Sequence, residues 1–279
     1  MKMNSFWKLI PVAAFAAFTF VACDSGSSSD SDVADSSSSA AVQSSGNSSS
    51  GMESGGSVAE SSSDVAASSS TVAKSSSSVA ACTNTYGTNT VTDCRDGQVY
   101  KTVVIGTQTW MAQNLNYAMD SSWCYNNSAD SCSKYGRLYQ WTAAMNIASS
   151  YLTTSASAVI KTPQQGACPA GWHVPTSGEW DALATAVGGS GTASTKLKST
   201  SGWYDSGNGT DSYGFSALPA GGRYNDGDFY LARGLALFSS ATEYGASYAY
   251  YRRFGYNFAS MYAYIGNKTY AFSVRCVQD

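Results

Sequence analysis

Among 279 residues there is one histidine, His173. A metal centre built on three imidazoles is therefore out of reach. No Cys-x-x-Cys pair occurs either, so a zinc site lacks its usual ligand set. No Gly-x-Ser-x-Gly elbow frames a Ser/His/Asp triad around His173. Basic residues form no cluster beyond Arg252 and Arg253, which argues against nucleic acid as a partner. The apolar run LIPVAAFAAFTF (9–20) falls short of the roughly 20 residues needed to cross about 30 Å of hydrocarbon.

That run has a different use. Lys2 and Lys8 precede or flank its start, and it ends in FVAC, where small Ala22 stands before Cys23. This is the form of a bacterial lipoprotein signal, with residues 1–22 removed and Cys23 lipidated as the mature amino terminus. Acyl chains on Cys23 hold a protein at a membrane surface because each buried methylene contributes about 0.8 kcal/mol. The reading is an exported lipoprotein, on the outer membrane or cell surface of a Gram-negative bacterium. From Asp24 to Ala81 the composition turns to Ser, Ala, Gly, Asp and Val, with seven acidic residues against Lys74 alone. Such a stretch cannot bury enough apolar surface to offset its ordering entropy, so residues 23–81 are expected to be a disordered tether. As a Ser/Gly coil its root-mean-square reach is roughly 40 Å.

Residues 82–279 are expected to form one domain with a single core, nearly neutral at thirteen Lys or Arg against twelve Asp or Glu. Six cysteines lie in it: Cys82, Cys94, Cys124, Cys132, Cys168 and Cys276. An even count in an exported domain predicts disulfides. Short spacings favour Cys82 with Cys94 and Cys124 with Cys132, leaving Cys168 to Cys276.

The fold class reads as α+β, with short strands between turn signals and about two helices. VYKTVVIGTQTWMAQNL (99–115) has the β-branched and aromatic residues of a hairpin on both sides of Gly106. GRLYQW (136–141) predicts a strand, with a short helix opening near Thr142. In GWHVPTSGEW (171–180), Thr176 and Glu179 fit a capping box. Trp180, Leu183, Ala184 and Val187 then follow at i, i+3, i+4 and i+7, and Gly188 and Gly189 stop the helix. Glu179 is thereby explained without catalysis, and His173 is expected to pack beside Trp172 and donate to a backbone carbonyl. YGFSALPAGGR (213–223) reads as a strand into a glycine turn, and LALFSSATEY (235–244) as another strand. AFSVRCV (271–277) reads as a final alternating strand with Phe272, Val274 and Cys276 on one face.

Five blocks, CRDGQVYKTVVIGTQTWMAQNLNY, YGRLYQWTAAM, CPAGWHVPTSGEWDAL, DSYGFSALPAGGR and FSVRCV, together resemble the Fibrobacter succinogenes major paralogous domain over about residues 93–279. That family is similar, more distantly, to formylglycine-generating enzymes, whose helix start and final strand parallel HVPTSGEW and FSVRC. The resemblance implies a C-type-lectin-like domain of short mixed sheets, long loops and disulfides. Formylglycine-generating enzymes hold copper on two cysteines before the final strand; residues 244–271 contain none, so that chemistry does not carry over.

Three kinds of candidate site remain. C-type lectins bind sugars through calcium on EPN or QPD segments, and neither occurs here. Asp205, Asn208 and Asp211, and Asn225, Asp226 and Asp228, supply oxygens of the type calcium takes. The same residues are ordinary turn formers, which is the preferred reading, with no cofactor. Asp226 and Asp228 also make a weak case for a glycosidase pair. Aromatics are more informative, as a binding surface or equally as the half-exposed strand tyrosines of a small disulfide-linked domain: YAYYRRFGYNF (248–258) is expected to place Tyr248 and Tyr250 on one face and Tyr251 opposite, beside Arg252 and Arg253. Trp203, Tyr204, Tyr224 and Tyr230 are expected on loops. Tyr and Trp offer flat apolar area with a polar edge, suited to sugar rings or protein partners. The expected function is a non-catalytic surface lipoprotein whose lectin-like domain binds polysaccharide or another surface component, with plant cell-wall glycans as one ligand class the family implies. The alternatives are a divergent enzyme on the same fold and a structural protein contacting only envelope proteins.

Overall fold

The structure, a computed structural model, describes residues 82–279. The signal segment, Cys23 and the serine-rich tether lie outside the described residues. None of the described helices is long and apolar enough to cross a membrane.

The amino-terminal part is strand-rich: β1 (Thr85–Gly87), β2 (Thr90–Thr92), β3 (Val99–Ile105), β4 (Gln108–Met111) and β5 (Ser122–Trp123). Next come α1 (Ala129–Tyr135), β6 (Leu138–Gln140), α2 (Trp141–Met145), β7 (Trp172–His173), α3 (Ser177–Ala186) and α4 (Ser190–Leu197). The remainder is again sheet: β8 (Gly222–Arg223), β9 (Phe229–Tyr230), β10 (Leu235–Gly245), β11 (Tyr248–Gly255), β12 (Tyr262–Asn267), β13 (Ala271–Ser273) and β14 (Val277–Gln278). A six-stranded sheet runs β1-β2-β3-β4-β14-β7, and an eight-stranded one runs β12-β11-β10-β13-β6-β5 with β8 and β9 attached beside β13. The class is α+β, mostly sheet, tied by three disulfides.

The 99–115 hairpin forms as expected, with Ile105 opposite Gln108 across a two-residue turn. Gly106 takes φ 63° there, the left-handed conformation that tight hairpins need, and a Cβ at this position would stand 2.9 Å from Ala186 Cβ. Helix α3 also forms as read. Thr176 accepts from the Glu179 amide at 3.3 Å, and the Glu179 carboxylate accepts from the Thr176 amide at 2.7 Å. Its apolar stripe of Trp180, Leu183, Ala184 and Val187 is buried against Trp110, Phe215 and Phe238. Trp180 meets Trp110 at 4.8 Å and Phe238 at 5.4 Å between ring centroids. All three disulfides join the pairs that spacing favoured: Cys82–Cys94, Cys124–Cys132 and Cys168–Cys276.

Three expectations are corrected. There are four α-helices rather than two, because α1 and α4 (ADSCSKY and SGTASTKL) are Ser-rich and bury only two and three residues, too few to mark a stripe. Residues 213–223 are mostly not strand: only Gly222–Arg223 pair, with isolated bridges at Ala217 and Gly221. Backbone carbonyls there are satisfied by a side chain instead, since the buried guanidinium of Arg275 takes Phe215 O and Ser216 O. The final alternating strand is two strands in different sheets. Phe272 and Ser273 pair with Tyr139 and Leu138, whereas Val277 pairs with Trp110 and His173. All seven residues 271–277 are buried, so the segment has no solvent face and no burial alternation. Cys276 lies in the break, where its disulfide to Cys168 fixes the crossing between sheets.

Candidate functional site

Strands β10, β11 and β12 pair antiparallel, with Arg253 opposite Leu237 on one side and Tyr262 on the other. Alternation along β11 sends Arg252 and Phe254 into the core and leaves Tyr251 and Arg253 on the outer face. The β8–β9 hairpin brings Tyr224 and Tyr230 over that face. The result is a groove of about 440 Å³ whose walls include Tyr224, Tyr230, Tyr248, Tyr251, Arg253 and Tyr270.

The rings are held by one another. Tyr224 and Tyr230 stack at 4.0 Å with planes 15° apart, and Tyr270 meets Tyr224 edge-on at 5.3 Å. Tyr251 lies 4.7 Å from Phe272 and 5.9 Å from Tyr264. Burial pushes the Tyr230 and Tyr251 hydroxyls above the ordinary phenol range, and the positive charge of Arg253 pulls back against this at both. Both phenols are neutral donors at neutral pH. No carboxylate, imidazole or thiol lines the groove; its polar side chains are tyrosine hydroxyls, the Arg253 guanidinium and the Asn267 amide.

Five of the nine sequence-selected ligand candidates meet here: Tyr224, Tyr230, Tyr248, Tyr251 and Arg253. Tyr248, the first residue of β11, lines the groove together with Tyr251 rather than opposite it, next to the register shift at Glu243 and Gly245 that ends β10. Tyr250 lies outside the groove, edge-on to Tyr244 at 5.5 Å. Tyr204 is exposed but elsewhere, against Tyr256 and under Arg233. Trp203 is a core residue, 4% exposed, and its indole donates to Ser199 Oγ at 3.0 Å. Arg252 is 1% exposed and committed to α3, donating to Ser177 O at 2.8 Å and Asp181 Oδ1 at 2.7 Å. Leu237, Tyr270 and Phe272 were not selected from sequence. The Tyr-x-Phe spacing at the start of β13 is the signal for the last two, masked by the reading of Phe272 as one face of an alternating strand with Val274 and Cys276.

The oxygen-rich loops mostly serve their own backbone. Asn208 Oδ1 accepts from Trp203 N, Asp211 accepts from Ser216 N and Ser216 Oγ, and Asp226 Oδ1 accepts from Asp228 N. Asp205, Asn225 and Asp228 are exposed, and Asp205 and Asp211 take left-handed φ values of 47° and 46°. Among the described residues no group of three or more His, Cys, Asp or Glu side chains is placed to hold a metal ion.

His173 departs from expectation in its partners. It does not donate to a carbonyl: Nδ1 stands 2.6 Å from Asp279 Oδ1, and Nε2 stands 2.7 Å from Glu179 Oε1. Burial alone would lower its pKa, but the two carboxylates outweigh burial and raise it above 6.5.

Neither a curated protein nor a solved structure matches the chain. Residues 103–278, more than half of its length, match the family model of the Fibrobacter succinogenes major domain, and the chain belongs to that family.

Proposed function

We propose that this chain is a non-catalytic surface lipoprotein whose domain is C-type-lectin-like and binds polysaccharide in the tyrosine groove. The observation that carries the reading is the groove itself: stacked Tyr224 and Tyr230 beside Tyr251 and Tyr270, with no carboxylate, imidazole or thiol among the lining residues. Flat rings bury the apolar faces of sugars while their hydroxyls and Asn267 offer hydrogen bonds at the edges. Two sheets, few helices, long loops and a disulfide across the fold support the lectin-like assignment. Lipid on Cys23 would hold the domain at the outer membrane or cell surface, where glycans and envelope proteins are the available partners.

The test is retention of the full chain, purified with its disulfides formed, on insoluble cell-wall glycans in calcium and in chelator. Retention in both supports a calcium-independent groove. Retention lost in chelator moves binding to the Asp and Asn loops. No retention, together with stoichiometric bound copper or iron, replaces the binding module with an enzyme.

A further inference from the structure

The groove carries one charge, and that charge has no partner. Arg253 takes part in none of the ion pairs among the described residues, and its Nε is buried without a hydrogen-bond acceptor. The deeply buried cations Arg252, Lys268 and Arg275 are bonded, although Arg252 Nη1 and the Nε of half-buried Arg223 also lack an acceptor. Arg252 bonds Asp181, Lys268 bonds Glu243 and three carbonyls, and Arg275 bonds Asn114 and three carbonyls. Arg253 instead rests against two rings, its guanidinium carbon 5.5 Å from the Phe258 centroid and 5.4 Å from that of Tyr264. Ring contact restrains a guanidinium without using its donors, so the fork stays available. No Asp or Glu lines the groove, so nothing within it would repel an anion or neutralise the arginine.

The geometry points to an acidic polysaccharide as the ligand, with a uronate carboxylate on the guanidinium of Arg253 and sugar rings on Tyr224, Tyr230 and Tyr251. This rests on the groove being the glycan site. A carboxylate matches the arginine fork through paired charge-assisted hydrogen bonds, which a neutral hydroxyl replaces only weakly. Only Nε of Arg253 is buried without an acceptor, so the two outer nitrogens are the donors an anion would take, and a purely neutral glycan would leave them to water.

The experiment is affinity electrophoresis of the full chain, disulfides formed, through gels containing polygalacturonate, fully methyl-esterified polygalacturonate, xylan or polyglutamate. Retardation by polygalacturonate is expected, with binding to the methyl ester on the order of tenfold weaker. The R253Q variant should lose the difference between acid and ester, and R253K should keep part of it. Should R253Q fail to fold, the acid-to-ester comparison on the unaltered chain still decides. Equal retardation by ester or xylan overturns the acidic ligand and leaves the groove a neutral glycan site. Polyglutamate binding as well as polygalacturonate reduces the effect to ion exchange and overturns the inference too. Retardation by none of the glycans removes the glycan-binding reading along with it.

Discussion

Glu179 holds His173 and caps its own helix with the same carboxylate. Oε2 accepts from the Thr176 amide and hydroxyl at 2.7 and 2.9 Å, while Oε1 lies 2.7 Å from His173 Nε2. His173 sits in β7, paired to Val277 of β14, and its other nitrogen reaches Asp279 just beyond β14. One imidazole therefore fastens the start of α3 to two strands of the six-stranded sheet. Two neighbouring tryptophans and a glutamate look like an active site in sequence, and in the fold they make a joint.

That joint should depend on pH in a definite direction. The His173 pKa is raised above 6.5, so its stabilisation is complete below about pH 6.5 and is lost as pH rises through the folded-state value. Burial would raise Glu179, but its bonds to His173 and Thr176 lower it below 4.5, so its share is lost only as pH falls through that lower value. Replacing His173→Gln should cost most near pH 5.5, on the order of 1 kcal/mol because both carboxylates are partly exposed. Urea midpoints of both proteins near pH 5.5 and near pH 9 check this. A deficit independent of pH would mean that the imidazole acts by packing alone.

Arg275 is fully buried with no carboxylate bonded to it, and burial draws its pKa below the ordinary guanidinium value. It holds Asn114 Oδ1 at 2.6 and 3.1 Å and the carbonyls of Met111, Phe215 and Ser216. Changing Arg275→Met would strand those acceptors, at a cost of about 3 kcal/mol or more. Arg275→Lys should recover little, since one ammonium cannot span the same set. Denaturation midpoints give the losses, and amide exchange should rise at 214–217 first if the carbonyls matter as described.

The disulfides should contribute unequally. Cys168–Cys276 closes a separation of 108 residues and Cys124–Cys132 one of 8. In the chain-entropy model these correspond to about 4.7 and about 2.5 kcal/mol. Paired alanine variants, Cys168→Ala with Cys276→Ala and Cys124→Ala with Cys132→Ala, compared by guanidinium midpoints, should rank in that order. The reverse order would show that local geometry, not loop closure, sets their worth.

Legibility in the sequence followed the strength of local chemistry. Thr176, Glu179 and the stripe from Trp180 to Val187 form a complete signal, because a cap, a period and a stop all lie within fourteen residues. The cysteine pairs were legible because two short loops leave one long one. The break after Ser273 was not, since AFSVRCV has strand composition throughout and only pairing to two different sheets divides it. Trp203 and Arg252 read as surface ligands because aromatic and basic residues carry no mark of burial. Their partners, Ser199 and Asp181, lie on other elements or turns that local pattern does not connect. Tyr224 and Tyr251 were selected for composition alone, and 26 intervening residues of strand and turn bring them to one groove.

The groove and the core can be separated by two tyrosines and a tryptophan. Tyr224 is 37% exposed and stacked on Tyr230, so replacing both with alanine removes one wall of the groove without opening either main core cluster. Loss of glycan affinity should reach roughly tenfold, about 1.4 kcal/mol, with a small change in thermal stability. Trp203→Phe should behave oppositely. It deletes an indole donor to Ser199 and shrinks a buried ring, lowering stability by about 1 to 3 kcal/mol while leaving glycan affinity unchanged. The two proteins are compared by thermal midpoint and by retention on the same insoluble glycan. If Trp203→Phe lost binding while the double tyrosine variant kept it, the ligand site would have to be sought on the Trp203 loop instead of between the β8–β9 hairpin and β11.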